Sequence, residues 1–244
     1  MHIFPLDAGH ATVSVYGEDA YSGHDFKALA NVPLAQVEVL VFFDSRGISG
    51  QWQGSLMQLV VDDLGDTPFL ALARPLAMTT WATLLNVLVI NELTPRLILT
   101  NVGLVDCTPK KRTLCDDVLE QIRFVQPGTS SRLHYLEPYV LSSGATEELY
   151  SVEYDDEYMS LLSRRVNAQQ TIAIKTPLVS PRLPIERARP ATFFSQLQSS
   201  NRLVDAVGCQ TIELGEFDAG LTYDGVHWTP DANRMIFDKV KRLL

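Results

Sequence analysis

The apolar residues of this chain alternate between short continuous runs and longer stretches with helical spacing. A short continuous run is typical of a strand in a parallel sheet, because helices cover both faces of such a strand. The runs predict strands at Val37–Phe43, Pro68–Ala73, Arg96–Val102, Thr171–Thr176 and Thr211–Leu214.

The stretches between these strands repeat their apolar residues at the spacing of one helix face. They predict helices at Gln51–Leu64, Thr80–Leu93, Cys115–Phe124, Glu147–Arg165, Ala191–Val207 and Pro230–Leu244. Thr229 is the predicted N-cap of the last helix, which has Pro230 in its first turn. This alternation of strands and helices predicts an α/β fold, with a parallel sheet between two helix layers.

The domain organisation of the chain indicates which residues are candidates for a functional site. The sequence has neither an internal repeat nor a low-complexity linker, which favours one α/β domain over residues 37–244. Residues 1–36 are less periodic and are expected to form an N-terminal arm or an edge hairpin, with a strand at Ala11–Tyr16. In an open parallel sheet, ligands bind at the carboxyl ends of the strands. The residues that follow each strand are therefore the candidates for function.

Charge and composition narrow the class of partner. Among 244 residues, 20 Lys and Arg stand against 29 Asp and Glu, for a formal net charge of −9. Such an acidic chain is not expected to bind nucleic acid or an anionic membrane. The longest apolar stretch, Trp81–Leu93, is too short to cross a bilayer, and no signal peptide is visible. The three cysteines lack the spacing of a zinc site and indicate thiols in a reducing compartment, so a cytoplasmic protein is expected.

A serine follows the first predicted strand, and a histidine motif follows the last predicted strand. Ser45 comes directly after the first strand, and an Asp-x-x-His motif, Asp224 to His227, precedes the last helix. A serine on a strand-to-helix turn exposes its hydroxyl, and an Asp-x-x-His loop presents an imidazole with the carboxylate that orients it. Each motif alone is weak, because turns and helix caps often contain Ser and Asp. Their joint occurrence favours a Ser–His–Asp hydrolase.

With these two motifs the chain resembles the SGNH (GDSL-type) hydrolases, which carry Gly-Asp-Ser after the first strand and Asp-x-x-His before the last helix. The resemblance runs from about Val37 to the end of the chain. It implies a flavodoxin-like three-layer α/β/α domain with sheet order 2-1-3-4-5. It also implies a serine esterase or acyltransferase that works through an acyl-enzyme. Ser45 would be the nucleophile, His227 the general base and then acid, and Asp224 the residue that orients His227, with no metal or cofactor.

The blocks that form the family's oxyanion hole are altered in this chain. Phe43 stands where the first block has Gly, and Val105 stands where the third block has an Asn. Ala77 is nearest to the Gly of the second block and can donate the same backbone N–H. Asn101 replaces the missing side chain only if the register differs. These departures leave open a second interpretation, in which the chain is a catalytically silent binding or assembly domain that kept the fold.

Arginines follow several of the predicted strands. Arg46 comes after the first strand, Arg74 after the second, and Arg182 lies in a proline-rich loop after the fourth. If the strands are parallel, these loops open at one edge and predict a cationic mouth that binds an anionic substrate. The alternative is that these side chains cap helices or pair with local carboxylates.

The stretch Gly103–Lys110 also resembles SGNH proteins of carbohydrate-processing gene clusters, which suggests an acylated carbohydrate as substrate.

Other candidates have simpler interpretations. Cys107 follows a strand but has no His or Asp motif to serve it, so a core-lining thiol is expected. His134 is expected to be a surface histidine. His2, His10 and His24 lie in an irregular N-terminal stretch whose spacing does not predict a metal site. The sequence has no glycine-rich phosphate loop, so no nucleotide cofactor is implied.

Overall fold

The computed structural model of this protein describes residues 2–5, 12–15, 27–48, 52–74, 78–140, 146–179, 193–218 and 220–244. Its strands, in chain order, are β1 (His2–Pro5), β2 (Thr12–Val15), β3 (Lys27–Ala30), β4 (Val39–Phe43), β5 (Phe69–Ala73), β6 (Leu97–Thr100), β7 (Lys110–Lys111), β8 (Arg132–Val140), β9 (Thr146–Glu153), β10 (Gln170–Ile174), β11 (Leu178–Val179), β12 (Gln210–Ile212) and β13 (Glu216–Phe217). Its α-helices are α1 (Leu56–Leu64), α2 (Trp81–Ile90), α3 (Leu104–Cys107), α4 (Arg112–Val125), α5 (Asp156–Asn167), α6 (Phe193–Val207) and α7 (Pro230–Val240). Short 3-10 turns lie at Leu34–Gln36 and Ser45–Ile48.

The main sheet contains six strands in the order β12-β10-β6-β4-β5-β3. Strands β12, β10, β6, β4 and β5 are parallel, whereas β3 pairs antiparallel with β5 at the edge. The sheet is therefore mixed, and the prediction of an all-parallel sheet is wrong at this edge. Residues Lys27–Ala30 alternate between half-buried and buried positions. An edge strand of this kind lacks the continuous apolar run that identifies the strands buried on both faces.

Helices cover both faces of the main sheet. Within β4, Val39, Val41 and Phe43 face one layer, and Leu40 and Phe42 face the other. Helices α1 and α7 pack on the first face, α2, α4 and α5 pack on the second, and α6 contacts both cores. Every residue of β4 is buried, as a strand between two helix layers requires.

Capping residues set the helix starts. Helix α1 begins at Leu56, later than its apolar spacing predicts, because the Ser55 hydroxyl accepts a hydrogen bond from the Gln58 N–H at 3.2 Å. Helix α7 begins as predicted, with the Thr229 hydroxyl accepting from a backbone N–H and Pro230 in the first turn. These caps satisfy N–H groups that have no partner inside the helix.

In the described ranges, no helix combines the length and apolar surface that a membrane span needs.

The acidic helix predicted at Glu147–Arg165 is wrong in its first half. Residues Thr146–Glu153 form β9, which lies between β7 and β8 in a separate antiparallel sheet. More exposed and more buried residues alternate along this segment, and the Leu149 side chain is buried. This two-residue period is that of a strand. Helix α5 starts only at Asp156, where the Asp155 side chain accepts a backbone N–H of the first turn.

The carboxyl ends of β4, β6 and β10 meet at one edge of the main sheet, because these strands are parallel neighbours. Asp44 follows β4, Asn101 follows β6, and Thr176 lies two residues after β10. The loop before α7 reaches the same edge, where His227 contacts Ser45. This edge of the sheet therefore holds the candidate site.

Candidate active site

Ser45 opens the 3-10 turn that follows β4. Every residue from 39 to 48 is buried except Ser45, which is half-buried. The turn is closed by a hydrogen bond from the Gly47 N–H to the Asp44 carbonyl oxygen at 3.0 Å. A rigid, buried segment thus presents one hydroxyl toward the surface.

The loop before α7 holds its own histidine in place. Asp224 Oδ1 accepts hydrogen bonds from the backbone N–H groups of Val226 at 3.1 Å and His227 at 2.9 Å. Gly225 between them has a φ of 78°, in the left-handed region that favours glycine. The Tyr223 N–H donates to the His227 carbonyl oxygen at 2.9 Å and closes the loop. Asp224 therefore shapes the loop as well as facing the imidazole.

The structure brings Ser45, His227 and Asp224 into one hydrogen-bonded row. Ser45 Oγ lies 3.1 Å from His227 Nε2. On the other side of the ring, His227 Nδ1 lies 3.1 Å and 3.0 Å from the two carboxylate oxygens of Asp224. The His227 side chain is 34% exposed and that of Asp224 is 12% exposed. In this arrangement the imidazole can accept the serine proton while the carboxylate stabilises the resulting imidazolium.

Arg46 does not line a substrate mouth, and its predicted role in binding substrate is wrong. The residue is 1% exposed. Its Nε donates to both Asp44 oxygens at 3.0 Å, and its Nη2 contacts Asp44 Oδ2 at 2.8 Å. Its Nη1 donates to Thr176 Oγ1 at 2.9 Å, and the guanidinium lies 5.2 Å from the ring centre of Trp228. The sequence showed an arginine two residues after an aspartate, but nothing in it identified Thr176 and Trp228 as partners.

Asn101 is also placed differently from its predicted role in the oxyanion hole. It is fully buried, its Nδ2 donates to Asp44 Oδ1 at 3.0 Å, and its Oδ1 accepts from the Asp44 N–H at 2.7 Å. The Asn101 carbonyl oxygen accepts from Arg46 Nη2. Both ends of this amide therefore hold Asp44, directly before the turn that Ser45 opens. Ala77, the second oxyanion-hole candidate, lies outside the described residues.

A close backbone approach accommodates the unusual Phe43. A Cβ placed on Gly47 would lie 2.5 Å from Phe43 Cβ and 2.6 Å from its ring. Only glycine fits against the phenylalanine side chain at this distance, because real Cβ atoms do not approach other atoms so closely. A glycine four residues after Phe43 thus gives the turn the room it needs.

Arg74, the next of the predicted arginines, directly follows β5. The Arg74 N–H donates to the Phe43 carbonyl oxygen at 2.7 Å, which extends the pairing of β4 and β5. Its φ of 50° is uncommon for a residue with a side chain, and the residue is half-buried. Arg182 lies outside the described residues. The predicted cationic mouth therefore loses Arg46, the member that directly follows Ser45 in the chain.

The competing candidates stay apart from this row. Burial raises the pKa of Cys107 to about 12, so its thiol is protonated at neutral pH and is not an activated nucleophile. His134 is an exposed residue of β8. In the part of the chain that the structure describes, no three His, Cys, Asp or Glu side chains are grouped as a metal would need. His10 and His24 fall outside that part.

A second buried carboxyl group, which sequence reasoning missed, follows β6 at the same edge. Asp106 in α3 is 3% exposed, and its Oδ1 accepts from the Trp81 N–H at 3.0 Å and from the Tyr154 hydroxyl. Its Oδ2 has no hydrogen-bond partner among the described residues. Burial raises the pKa of Asp106 to about 6. Asp106 thereby joins the start of α2 to α3.

Solved structures with similar folds include an acetyl xylan esterase and two bacterial proteins, one assigned as a GDSL-like lipase from Parabacteroides merdae and one as a platelet activating factor from Streptococcus pneumoniae. The esterase is 14% identical, with 84% of this chain and 99% of that chain covered and a TM-score of 0.45. The Parabacteroides protein is 12% identical, with 83% and 93% covered and a TM-score of 0.46. The Streptococcus protein is 11% identical, with 87% and 86% covered and a TM-score of 0.49.

No family model matches this sequence, and no curated protein matches it. At such low identity and superposition, an activity does not carry over from one chain to another. The function of this chain is therefore derived below from its own residues.

Proposed function

We propose that this protein is a serine ester hydrolase of the SGNH type, with Ser45, His227 and Asp224 as its catalytic residues. The observation that carries the proposal is the continuous row from Ser45 Oγ through the His227 ring to Asp224, with separations of 3.1 Å and 3.0 Å. Three chemically matched side chains from two distant segments meet in the order that nucleophilic catalysis needs.

The reaction follows from this geometry. Ser45 Oγ attacks the ester carbonyl carbon while its proton moves to His227 Nε2, and the carbonyl oxygen takes up the negative charge. As the tetrahedral intermediate collapses, His227 gives the proton to the departing alcohol, and the acyl group remains on Ser45. Water then attacks the acyl-enzyme with His227 again as base, and the released acid restores the serine. Asp224 stays ionised and stabilises the imidazolium in both halves.

The oxyanion is assigned to backbone donors in this proposal. The N–H of Ser45 lies at the start of the turn, where it can point at the oxygen of a carbonyl attacked by its own hydroxyl. The Ala77 N–H is the second donor expected from the sequence. A side-chain donor from Asn101 is no longer part of the mechanism, because that amide is occupied by Asp44. Losing one donor typically slows acyl transfer by about 100- to 1000-fold, so a slow enzyme is expected.

The substrate is proposed to be a small-molecule ester, with an acylated carbohydrate as the class suggested by the sequence resemblance. A second alcohol that replaces water in the last step would make the same residues an acyltransferase. An anionic substrate is not part of this proposal, because Arg46 is buried and paired.

The proposal is tested by labelling and turnover. The wild-type protein should react with a fluorophosphonate probe and hydrolyse p-nitrophenyl acetate. Ser45→Ala should lose the label and at least about 1000-fold in kcat. Ser160→Ala is the matched control, because Ser160 is an exposed serine of α5 that bonds only its own helix backbone in the described contacts. Its labelling and turnover should equal those of the wild type.

Asp224→Asn separates catalysis from loop structure. An amide oxygen still accepts the loop N–H groups but does not stabilise an imidazolium, so kcat should fall by about four orders of magnitude while the protein stays folded. Failure of the folded wild type to take the label would instead indicate a silent domain that kept the fold.

A further inference from the structure

We infer that Arg46 is a positioning residue, which holds the turn of Ser45 in register with the loop of His227. This inference rests on the proposed function and adds to it what fixes the distance between the two reacting side chains. The hydroxyl and the imidazole come from segments 182 residues apart. Each segment is closed by its own hydrogen bonds, and contacts between the two segments set one against the other.

The Arg46 side chain is placed to make that contact. At least four of its five N–H groups are used by Asp44, Thr176 and the Asn101 carbonyl, which belong to the ends of β4, β10 and β6. The central carbon of the same guanidinium lies over the Trp228 ring, 5.2 Å from its centre, within the range of cation–π attraction. Trp228 is fully buried and directly follows His227.

The planar group thus joins the strand ends to the histidine loop in one rigid unit. Its N–H groups join the guanidinium to residues that follow three strands of the sheet, and its cation–π contact reaches the residue next to the catalytic imidazole. Arg46 also directly follows Ser45 in the chain, so its side chain is attached to the turn that carries the nucleophile. A buried ion pair gives little net stability after its desolvation cost. Its contribution here is a fixed geometry.

Another connection between these segments lies further from the reacting atoms. Asn233 Nδ2 donates to the Gly54 carbonyl oxygen at 3.1 Å, and helices α1 and α7 pack together. These contacts hold the helices behind the two loops. Among the described contacts, the one between Arg46 and Trp228 lies closer to the loop tips.

The inference is tested with Arg46→Lys, which keeps the positive charge but removes the planar fork. A misplacement of the reacting atoms by about 1 Å slows the chemical step by roughly 100-fold. We expect kcat for p-nitrophenyl acetate to fall by about that factor, with KM changed less than about threefold. The rate of fluorophosphonate labelling should fall by the same factor, because labelling uses the same attack by Ser45.

A p-nitrophenyl ester that carries a free carboxylate separates positioning from substrate binding. If Arg46 positions the turn, the neutral and the anionic ester lose the same factor in kcat. If it binds substrate, the anionic ester loses affinity and the neutral ester does not, and the inference is overturned.

Thr176→Val provides a variant of nearly unchanged shape in case Arg46→Lys does not fold. It removes the acceptor for Nη1, and kcat should fall about tenfold at unchanged KM. Ile122→Val is the control for ordinary loss of stability, because Ile122 is a buried residue of α4 on the other face of the sheet. It should label and turn over like the wild type well below its melting temperature.

The outcomes separate the two hypotheses. An unlabelled wild-type protein overturns the proposed function, and the positioning role falls with it. A labelled wild type with folded variants that label at the wild-type rate leaves the function standing and overturns the positioning role.

Discussion

Asp44 and Asp106 follow neighbouring strands of the main sheet and are almost equally buried, with 1% and 3% of their surface exposed. Their surroundings differ in kind. Asp44 meets a guanidinium, the amide of Asn101 and a backbone N–H. Asp106 meets a backbone N–H and a tyrosine hydroxyl, and one of its oxygens has no partner among the described residues.

The comparison shows that two equally buried carboxyl groups can have very different hydrogen-bond partners. Burial raises the pKa of Asp106 to about 6, although the Tyr154 hydroxyl and Lys110 act in the opposite direction. Neutral donors and a more distant amine do not replace the water that the ionised carboxylate loses. The Asp44–Arg46 ion pair thus directly adjoins Ser45 in the chain, whereas the carboxyl group of raised pKa belongs to the helix that follows the neighbouring strand.

The largest effect on stability is expected from Asp44→Ala. It leaves the Arg46 guanidinium buried without its counter-charge, which costs about 3–5 kcal/mol in the free energy of unfolding. Urea unfolding at pH 7.5 measures this loss. A loss below about 1 kcal/mol would mean that water or another acceptor replaces the carboxylate, and the contrast between the two sites would not hold.

Asp106→Asn should change how stability depends on pH. The folded-state pKa of Asp106 is about 6 and its unfolded value is 3.8. The folded protein therefore binds this proton more tightly, and its stability falls as the pH rises from about 4 to above 6, by about 3 kcal/mol. The amide removes this fall.

Other carboxyl groups titrate over the same range, so the measured quantity is the difference between variant and wild type. That difference in unfolding free energy should shift in favour of Asp106→Asn between pH 4 and pH 7.5. Parallel profiles would show that the charge of Asp106 is stabilised after all.

Tyr154→Phe sharpens the comparison at a smaller scale. It removes the hydroxyl that donates to Asp106 and lowers the pKa of this group. The pKa of Asp106 should rise further, and stability at pH 7.5 should fall by about 1–2 kcal/mol. The loss should be smaller at pH 4.5, where the carboxyl group is protonated. An equal loss at both pH values would assign the effect to packing instead.

The smallest effect is expected at an exposed pair. Arg132 Nε lies 2.9 Å from Glu153 Oε2, with side chains 73% and 49% exposed. Water and salt screen such a pair. Arg132→Gln should leave the urea midpoint unchanged within error, and a clear drop would show that charge pairing matters equally at the surface and in the interior.

The parts of the fold that the sequence predicted share a physical reason. Strands β4, β6 and β10 lie between two helix layers, so burial on both faces leaves a continuous apolar run in the sequence. Strand β3 and the hairpin of β8 and β9 have one protected face or none, and their alternating residues carry a weaker signal. The sequence therefore predicts a helix at the charged residues Glu147–Glu148, which form part of a strand.

The sequence by itself determined the central α/β alternation and the two motifs that carry Ser45, Asp224 and His227, because these depend on residue type and local spacing. Only the tertiary structure decided which side chains are inside. Arg46 looks like a surface cation in the sequence, and its burial depends on Thr176, which lies 130 residues away. Asn101 and Asp106 likewise acquire their roles from partners on other strands and helices. A charged side chain is buried at an acceptable free-energy cost only where its partners surround it. Folding brings these partners together from distant segments, so no single segment of the sequence reveals them.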